Sequence, residues 1–286
     1  MERPLQSLLW MPTIQPPDLA LECARQRIMR LTALPALDPR LLEVLAERDV
    51  DAQYQQLREL LRVDPALAAR VLKVANSAFY GSRSISSIDR ALTALGAVAV
   101  AGIAMAARFD GACGRVEGRF GLLRRHSLMT AVAARGLATR VKLSGWEPES
   151  AFVLGLLHDL GWLVQRQLEC DRPLRRDDLR PLQTGNLAEH AVLSAALLAH
   201  WQLPPQFIDA VRDHHHVTPA GAASMGGALL AVAEQCAMHG GDSFGADVRP
   251  CDAQLPLGSF HLSEAELRTL GAQYAAEAAV LDDLVN

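Results

Sequence analysis

The chain has 286 residues, half of them hydrophobic but only 5% aromatic, and a formal net charge of -4. This length allows one large domain or two small ones with a substantial core. The small negative charge gives no reason to expect bulk attraction to nucleic acid or to anionic lipid. The five cysteines are scattered without CxxC spacing, which argues against a disulfide framework and is typical of a reducing compartment.

The sequence shows no signal-peptide pattern and no uninterrupted apolar run long enough for a membrane span. A span needs roughly 18–20 predominantly apolar residues, and a signal peptide needs a basic start followed by an apolar stretch. We therefore predict a cytoplasmic protein that does not cross a membrane.

The first predicted elements are helices. Residues 1–30 are predicted to form an arm that mixes Pro with polar residues and has a helical pattern from Leu19 to Leu31. Asp38-Pro39 and Asp64-Pro65 each place a capping carboxylate before a proline at the first helical position, a strong signal for a helix start. Ser86 and Asp89 have the spacing of a capping box, which predicts a helix over Ile88–Leu95.

Helical patterns continue through the second half. The Gly-containing stretch Asp110–Gly121 is the best candidate for a boundary between two halves. Strict alternation with β-branched residues is absent over any useful length, so strands are not predicted. The helices expected after the boundary cover Leu122–Lys142, Glu149–Gln167, Ala188–Trp201, Pro205–His215, Gly226–Met238 and Ser263–Leu281. The fold class is therefore predicted to be all-α.

Histidines are concentrated between His126 and His216. Several predicted helices point an imidazole toward their own apolar stripe, so these rings are expected to converge in the helical core. The residues with this pattern are His126, His158, His190, His214 and His215.

His158 is followed directly by Asp159 in an otherwise apolar run. Neutral imidazoles suit first-row transition metals, and an adjacent carboxylate can bridge two ions or orient a ring. A single histidine on an apolar face is more often a hydrogen-bonded core residue. The pattern therefore leaves a metal cluster and a polar core as alternatives.

Several segments together resemble the HDOD domain, the HD-related output domain of bacterial signalling proteins. The most family-specific segment is Ala75-Asn-Ser-Ala-Phe-Tyr-Gly81. The other matching segments are Leu34–Leu37, Arg62–Leu67, Ile85–Gly96, His126-Ser127, Gly155–Gly161, Glu189-His190 and Arg212–His215. The resemblance covers about Leu31 to Ala237.

The resemblance implies an HD-domain-like helical bundle with an N-terminal helical subdomain. The domain is expected over residues 31–240, with the N-terminal subdomain at 31–110 and the HD-like subdomain at 121–240. Residues 241–286 are expected to form a loop and a helix that pack on the domain.

The related HD-GYP enzymes hold two or more iron or manganese ions, which activate a water for attack on a phosphodiester. By that resemblance, the metal ligands implied here are His126, His158, Asp159, His190, His214 and His215, with Glu234 in place of the terminal aspartate of HD enzymes. The implied ions are iron or manganese, with magnesium as a third option.

Three departures from the enzymes weaken a catalytic interpretation. Trp162 occupies the position of a lysine that assists phosphate chemistry in HD-GYP enzymes. No Gly-Tyr-Pro follows the histidine run, and Glu234 is longer than the aspartate that it replaces. The metal ligands are thus mostly retained, whereas the groups that handle substrate are missing.

Two functional hypotheses follow. The favoured one is a signalling output module that binds a receiver-domain protein or a cyclic-di-GMP-related protein. The other is a metal-dependent phosphohydrolase acting on a nucleotide or a cyclic dinucleotide. A metal kept for structure or sensing, without catalysis, would reconcile the two.

Three further features concern interaction. Asn76, Phe79 and Tyr80 are candidates for an interaction surface, although Asn76 could end a helix and the two rings could pack against the C-terminal half. The Arg-rich stretch Arg172–Arg180 could contact phosphates, but its interleaved aspartates favour a solvated loop. The apolar stripe of the C-terminal helix predicts either a homodimer surface or a cap on its own core. Its members are Leu267, Leu270, Tyr274, Ala278 and Leu281.

Overall fold

The computed structural model describes residues 17–30, 38–81, 84–113, 119–170, 187–218, 221–222, 224–242, 244 and 255–285. These residues form thirteen α-helices, two short 3₁₀ helices and one hairpin of two-residue strands. The predicted all-α class is confirmed. Among the described residues, no single helix has the length and hydropathy of a membrane span. Helix 88–95 passes that test only when it is counted together with 97–107, to which it is bent by 118°.

The helices of the first half are α1 (Pro17–Ile28), α2 (Pro39–Ala46), α3 (Val50–Val63), α4 (Pro65–Ala75), α5 (Ile88–Leu95) and α6 (Ala97–Cys113), with a 3₁₀ turn at Ala78–Tyr80. Those of the second half are α7 (Arg119–Val141), α8 (Pro148–Leu157), α9 (Gly161–Cys170), α10 (Leu187–His200), α11 (Pro205–Asp213), α12 (Met225–His239) and α13 (Glu264–Val285). The hairpin pairs β1 (Val217–Thr218) with β2 (Gly221–Ala222), and the second 3₁₀ turn is Leu257–Phe260.

The helix starts follow the predicted capping chemistry. The side chain of Asp38 accepts a hydrogen bond from the backbone of Arg40, and Asp64 accepts one from the backbone of Leu67. In α5 the capping residue is Ser87 rather than Ser86, because its hydroxyl is the group that accepts from the backbone of Arg90. Each cap satisfies a backbone donor that the first turn leaves without an intrahelical partner.

The first half is built around α6, which packs against α2, α3, α4 and α5. Between residues 38 and 107, the buried core described by the structure consists of aliphatic side chains and Tyr80. Val71, Leu92 and Val100 are fully buried there. α6 also contacts α7 and α8, so the two halves share one continuous core.

The second half is organised by two central helices. α7 packs against α8, α12 and α13, while α10 packs against α9 and α11. α1, which belongs to the predicted arm, packs on α10 and places Arg27 2.7 Å from Glu189. Leu267, Tyr274 and Leu281 of α13 are buried against its own core. The C-terminal stripe therefore packs mainly on this chain's own core.

One predicted helix is wrong. The sequence pattern indicated a single helix over Glu149–Gln167, but α8 ends at Leu157 and α9 begins at Gly161. Both segments are apolar, so periodicity gave no sign of the break. The turn between them carries His158, Asp159 and Leu160.

Candidate metal centre

The sequence-predicted imidazoles and carboxylates come together at one point inside the second half. The seven residues come from five elements. His126 lies on α7, His158 and Asp159 lie in the α8–α9 turn, His190 lies on α10, His214 and His215 follow α11, and Glu234 lies on α12. We call these seven residues the histidine cluster.

Two glycines place the turn at the centre of the cluster. A Cβ on Gly155 would lie 2.6 Å from the Cα of Ala131, so its absence lets α8 approach α7 closely. A Cβ on Gly161 would collide with the backbone oxygen of His190 and lie 2.7 Å from the nitrogen of Ser194. The backbone of Gly161 also donates a 2.7 Å hydrogen bond to the hydroxyl of Ser194. These close approaches fix the turn between α7 and α10.

The first ligand group consists of His126, His158, Asp159 and Glu234. The Nε2 atoms of His126 and His158 lie 3.1 Å apart. Asp159 Oδ2 is 3.2 Å from His126 Nε2, and Glu234 Oε1 is 3.1 Å from His158 Nε2. One ligand atom from each residue lies within 4.8 Å of all the others, a spacing that suits a shared cation.

The second ligand group consists of His190, His214 and His215, with the same 4.8 Å spacing. The Nε2 atoms of His190 and His215 are 3.0 Å apart. Asp159 Oδ1 lies 3.1 Å from His190 Nε2 and 3.9 Å from His214 Nε2. Asp159 therefore stands between the two groups, with one carboxylate oxygen toward each.

The hydrogen bonds on Nδ1 determine which nitrogen of each ring carries its proton. Nδ1 of His158 donates to the carbonyl of Gly155 at 2.7 Å, and Nδ1 of His214 donates to that of Val211 at 2.5 Å. Nδ1 of His126 faces the carboxylate of Asp242 at 2.6 Å. In neutral rings, all three Nε2 atoms are then lone-pair acceptors.

Acceptors thus face acceptors across the cluster. The Nε2 lone pairs of His126 and His158 oppose each other, and that of His158 also opposes Glu234 Oε1. Such contacts are repulsive unless a proton or a metal cation lies between them. In addition, Asp159 Oδ1 and His214 Nε2 are buried without a hydrogen-bond partner among the described residues. Native proteins rarely bury polar atoms in this way unless an ion or water satisfies them.

The pKa shifts show the same competition between burial and charge. Burial opposes a positive charge on His126, but its bonds with Asp159 and Asp242 outweigh burial and raise its pKa to about 10. Burial alone would raise the pKa of Asp159, yet the neighbouring imidazoles of His158 and His190 hold it well below its usual range. Burial and the neighbouring His214 lower the pKa of His215 to about 2. The first group therefore attracts positive charge, and the imidazole of His215 is neutral at any physiological pH.

The donor set fits a first-row transition metal. Imidazole nitrogens suit iron and zinc, carboxylate oxygens suit manganese, and an all-oxygen set would suit calcium or magnesium. Five imidazoles and two carboxylates form the histidine cluster. The residues present therefore fit the iron or manganese that the resemblance implied, and fit magnesium less well.

The cluster is closed on most sides. His126, His158, Asp159, His190 and His214 are each at most 3% exposed, while His215 and Glu234 are half-buried. The ring of Trp162 stacks on His190 with centroids 4.2 Å apart and an interplanar angle of 15°. Trp162 is 2% exposed, so it fills the space beside the second group with an apolar ring.

Asp242 lies beside the cluster and was not predicted from the sequence. It lies beyond α12, is 5% exposed and holds Nδ1 of His126. The available signal was weak, since it was only a carboxylate after the Gly240-Gly241 pair at a helix end. Its partner lies 116 residues earlier in the chain, a pairing that no local pattern indicates.

Of the three candidate interaction residues, Phe79 and Tyr80 contact the second half, whereas Asn76 is bonded within the first. The side chain of Asn76 donates to the carbonyls of Leu72 and Ile85 and accepts from the backbone of Ile85. It therefore ties the end of α4 to the following loop. Asn76 is half-buried, and these bonds occupy its amide on the protein itself.

Phe79 and Tyr80 pack toward the second half. The guanidinium of Arg135 lies 4.5 Å from the ring centre of Phe79 and 4.9 Å from that of Tyr80. The hydroxyl of Tyr80 donates to Glu149 at 3.0 Å, and Glu149 also pairs with Arg135 at 3.0 Å. Tyr80 is 7% exposed, so the structure places it inside the junction rather than on a free surface.

Other predicted features lie away from the cluster. His216 is exposed, as are His200, His239 and His261. The Arg-rich stretch Arg172–Arg180 and the candidate boundary residues 114–118 lie outside the described residues.

Comparisons with known proteins agree with this architecture. The family model of the HDOD domain matches residues 31–217. An uncharacterised protein of Treponema pallidum is 25% identical over 206 residues, which are 67% of this chain. The chain spans only 39% of the length of that relative.

Solved structures show the same fold. An HDOD domain protein of unknown function from Geobacter sulfurreducens aligns with a TM-score of 0.62 at 23% identity, over 92% of this chain and 98% of its own. A protein of Shewanella amazonensis, provisionally named a phosphohydrolase, aligns at 0.58 with 24% identity, over 93% and 98% of the two chains. A protein of Marinobacter aquaeolei, provisionally named a signal transduction protein, aligns at 0.58 with 18% identity, over 96% and 67%.

The family match covers more than half of the chain and includes all of the cluster except Glu234. It also includes the Asn76–Tyr80 segment at the junction. The chain belongs to the HDOD family.

Proposed function

We propose that this protein is a signalling output module that binds a transition metal in its histidine cluster and acts by binding another protein. The observation that carries the proposal is the combination of a complete ligand set with a closed site. Five of the seven ligands are at most 3% exposed, and Trp162 is stacked on His190. Such a site can hold an ion, but it offers a bulky phosphodiester little access to the ligands.

The roles of the residues follow from their contacts. His126, His158, Asp159 and Glu234 would hold one ion, and His190, His214 and His215 would hold a second beside Asp159. A bound ion would satisfy the opposed lone pairs and the unpartnered Asp159 Oδ1 and His214 Nε2. Because these side chains come from five separate elements, metal binding would stabilise their arrangement and couple to folding.

We expect this protein to pass on its signal by binding another protein. Members of this family relay signals in bacteria, and the similar Marinobacter protein carries a signal-transduction name. A receiver-domain protein or a cyclic-di-GMP-related protein is therefore the proposed partner. Binding of candidate receiver proteins from the source organism, measured by interferometry with and without phosphorylation, tests this step.

A metal-dependent phosphohydrolase is the second candidate, and one observation favours it. Asp159 stands between two ligand groups, an arrangement that fits a pair of ions. Bound metal ions would supply Lewis-acid stabilisation of a phosphoryl group and a more acidic water. Against it, neither Asp159 nor Glu234 has an ion pair with a lysine or arginine among the described residues, and Trp162 fills the position of the enzymes' lysine.

Two measurements on the full chain separate the candidates. Elemental analysis of protein purified without chelator should find at least one equivalent of iron or manganese. A phosphodiesterase assay with added manganese, using a chromogenic diester and cyclic dinucleotides, should find no turnover above that of the His158→Ala variant. Metal content well below one equivalent, including after manganese is supplied, contradicts the metal-binding proposal. Turnover that His158→Ala abolishes would establish the phosphohydrolase instead.

A further inference from the structure

The imidazoles of the histidine cluster are oriented by unlike partners. His158 and His214 donate Nδ1–H to carbonyls three residues earlier in their own segments, those of Gly155 and Val211. His126 instead faces a carboxylate, Asp242, from the other end of the domain. The first two are oriented locally and by neutral groups, whereas His126 depends on a distant charged group.

The contact between His126 and Asp242 is short and buried. Nδ1 and Oδ2 lie 2.6 Å apart, and both side chains are at most 4% exposed. The other oxygen of Asp242 accepts from the backbone of Phe244 at 3.1 Å. The Phe244 ring covers the pair, with its centroid 5.4 Å from that of His126. A carboxylate in this position fixes the tautomer of a histidine ligand, aims its Nε2 and increases its basicity.

Asp242 is itself held by the C-terminal part of the chain. Its backbone donates to the carbonyl of Ala237 at the end of α12. That end is packed closely on α13, because a Cβ on Gly240 would lie 2.7 Å from the backbone oxygen of Gly271 and the Cβ of Ala275. The orientation of His126 therefore depends on docking of α12 and α13.

We propose that Asp242 is a positioning residue for the ion bound through His126, and that metal binding is thereby coupled to docking of residues 237–242 and Phe244. This inference rests on the proposed metal centre. The segment lies beyond the residues matched by the family model, so the coupling is a property of this chain's C-terminal part. By linkage, whatever displaces the segment weakens metal binding, and metal binding tightens the segment.

The first test is a titration of the metal-free full chain with cobalt(II), followed by visible absorption. Asp242→Ala should weaken binding 10–100-fold, the usual effect of removing such a carboxylate, and should shift the cobalt bands. Asp242→Asn should weaken binding less, because its amide oxygen still accepts from His126 without the charge. Asp283→Asn, which changes an exposed carboxylate on α13, is the matched control and should bind like the parent chain.

The second test needs no variant. Hydrogen exchange of the parent chain should slow at amides 237–242 and 244 when cobalt or manganese is added. If Asp242→Ala does not fold, Asp242→Asn and this exchange measurement decide the matter. Parent-like affinity in the Asp242 variants, or unchanged exchange at 237–242 and 244, overturns the inference while leaving the metal centre in place. Failure of the parent chain to bind any metal would overturn both.

Discussion

The two halves of this protein bury different chemistry. In the described part of the first half, from 38 to 107, the buried residues are apolar apart from the hydroxyl of Tyr80. Every buried polar or charged residue that the structure describes lies in the second half, between 124 and 242. The first half is thus held together by burial of apolar surface, whereas the second must also satisfy charges inside its core.

From this difference we expect the two halves to respond differently to substitution. An apolar core tolerates small adjustments, because each contact is weak and non-directional. A buried polar cluster does not, since each unsatisfied group costs about 1–3 kcal/mol and charged groups cost more. We therefore expect the first half to serve as a scaffold, and the second half to be the part whose stability a bound ion would change.

The largest expected effect is a loss of stability in the first half. Leu57→Ala removes a fully buried side chain of α3, and such truncations cost about 2–5 kcal/mol. We expect that loss in chemical denaturation of the metal-free chain. The cobalt affinity of the fraction that remains folded should stay unchanged. A large fall in affinity would show that the two halves do not act separately.

The counterpart in the second half is Asp159→Ala. Removal of the carboxylate between the two ligand groups should weaken cobalt binding at least about 100-fold, or roughly 2.7 kcal/mol. Asp64→Ala provides a matched carboxylate deletion in the first half, since Asp64 caps α4. It should cost about 1 kcal/mol of stability and leave the affinity as it is. Equal affinities in the two variants would contradict the assigned role of Asp159.

A smaller effect is expected from the turn that carries the cluster. Gly161→Ala would force α9 away from α10, where the new Cβ collides with the backbone of His190. Overpacking of this kind costs about 1–3 kcal/mol, and the shift should also weaken cobalt binding. Gly258→Ala is the control, because nothing lies within 4 Å of its added Cβ. Thermal unfolding and a cobalt titration of both variants measure the contrast. Identical behaviour of the two variants would mean that the close α9–α10 contact is unimportant.

The smallest effect is a difference in thiol reactivity. Cys23 on α1 is exposed, whereas Cys236 in the core of the second half is buried, and burial raises the pKa of its thiol to about 12. At about pH 8, iodoacetamide should alkylate Cys23 readily and Cys236 hardly at all, because the thiolate is the reactive form. Peptide mapping by mass spectrometry gives both rates.

The raised pKa of Cys236 also makes the stability of the folded chain depend on pH. The folded chain holds the Cys236 proton more firmly than the unfolded chain, so this contribution is complete below the unfolded pKa of about 8.5 and is lost as pH rises toward 12. Rapid alkylation of Cys236 under native conditions would show that the second half opens easily.

Much of the fold could be predicted from local chemistry. Asp38-Pro39 and Asp64-Pro65 marked helix starts, because a capping carboxylate and a proline act within one turn. Ser263 and Glu266 likewise form the predicted reciprocal bonds before α13. The break after Leu157 could not be predicted in this way. Its causes are the close approaches of Gly155 and Gly161 to other helices, which a periodic pattern does not contain.

The amino-acid sequence by itself determined the helical class, most of the helix caps and the histidines that point into the core. Spacing along each helix is enough for these features, because capping and amphipathicity operate over a few residues. Glu234 was implied only by the family resemblance. Only the tertiary structure decided that the Nε2 atoms of His126 and His158 face each other, that Trp162 stacks on His190, and that Asp242 contacts Nδ1 of His126. These contacts join residues from 28 to 116 positions apart, and their energies depend on distance and burial in the folded chain, which the order of residues does not specify.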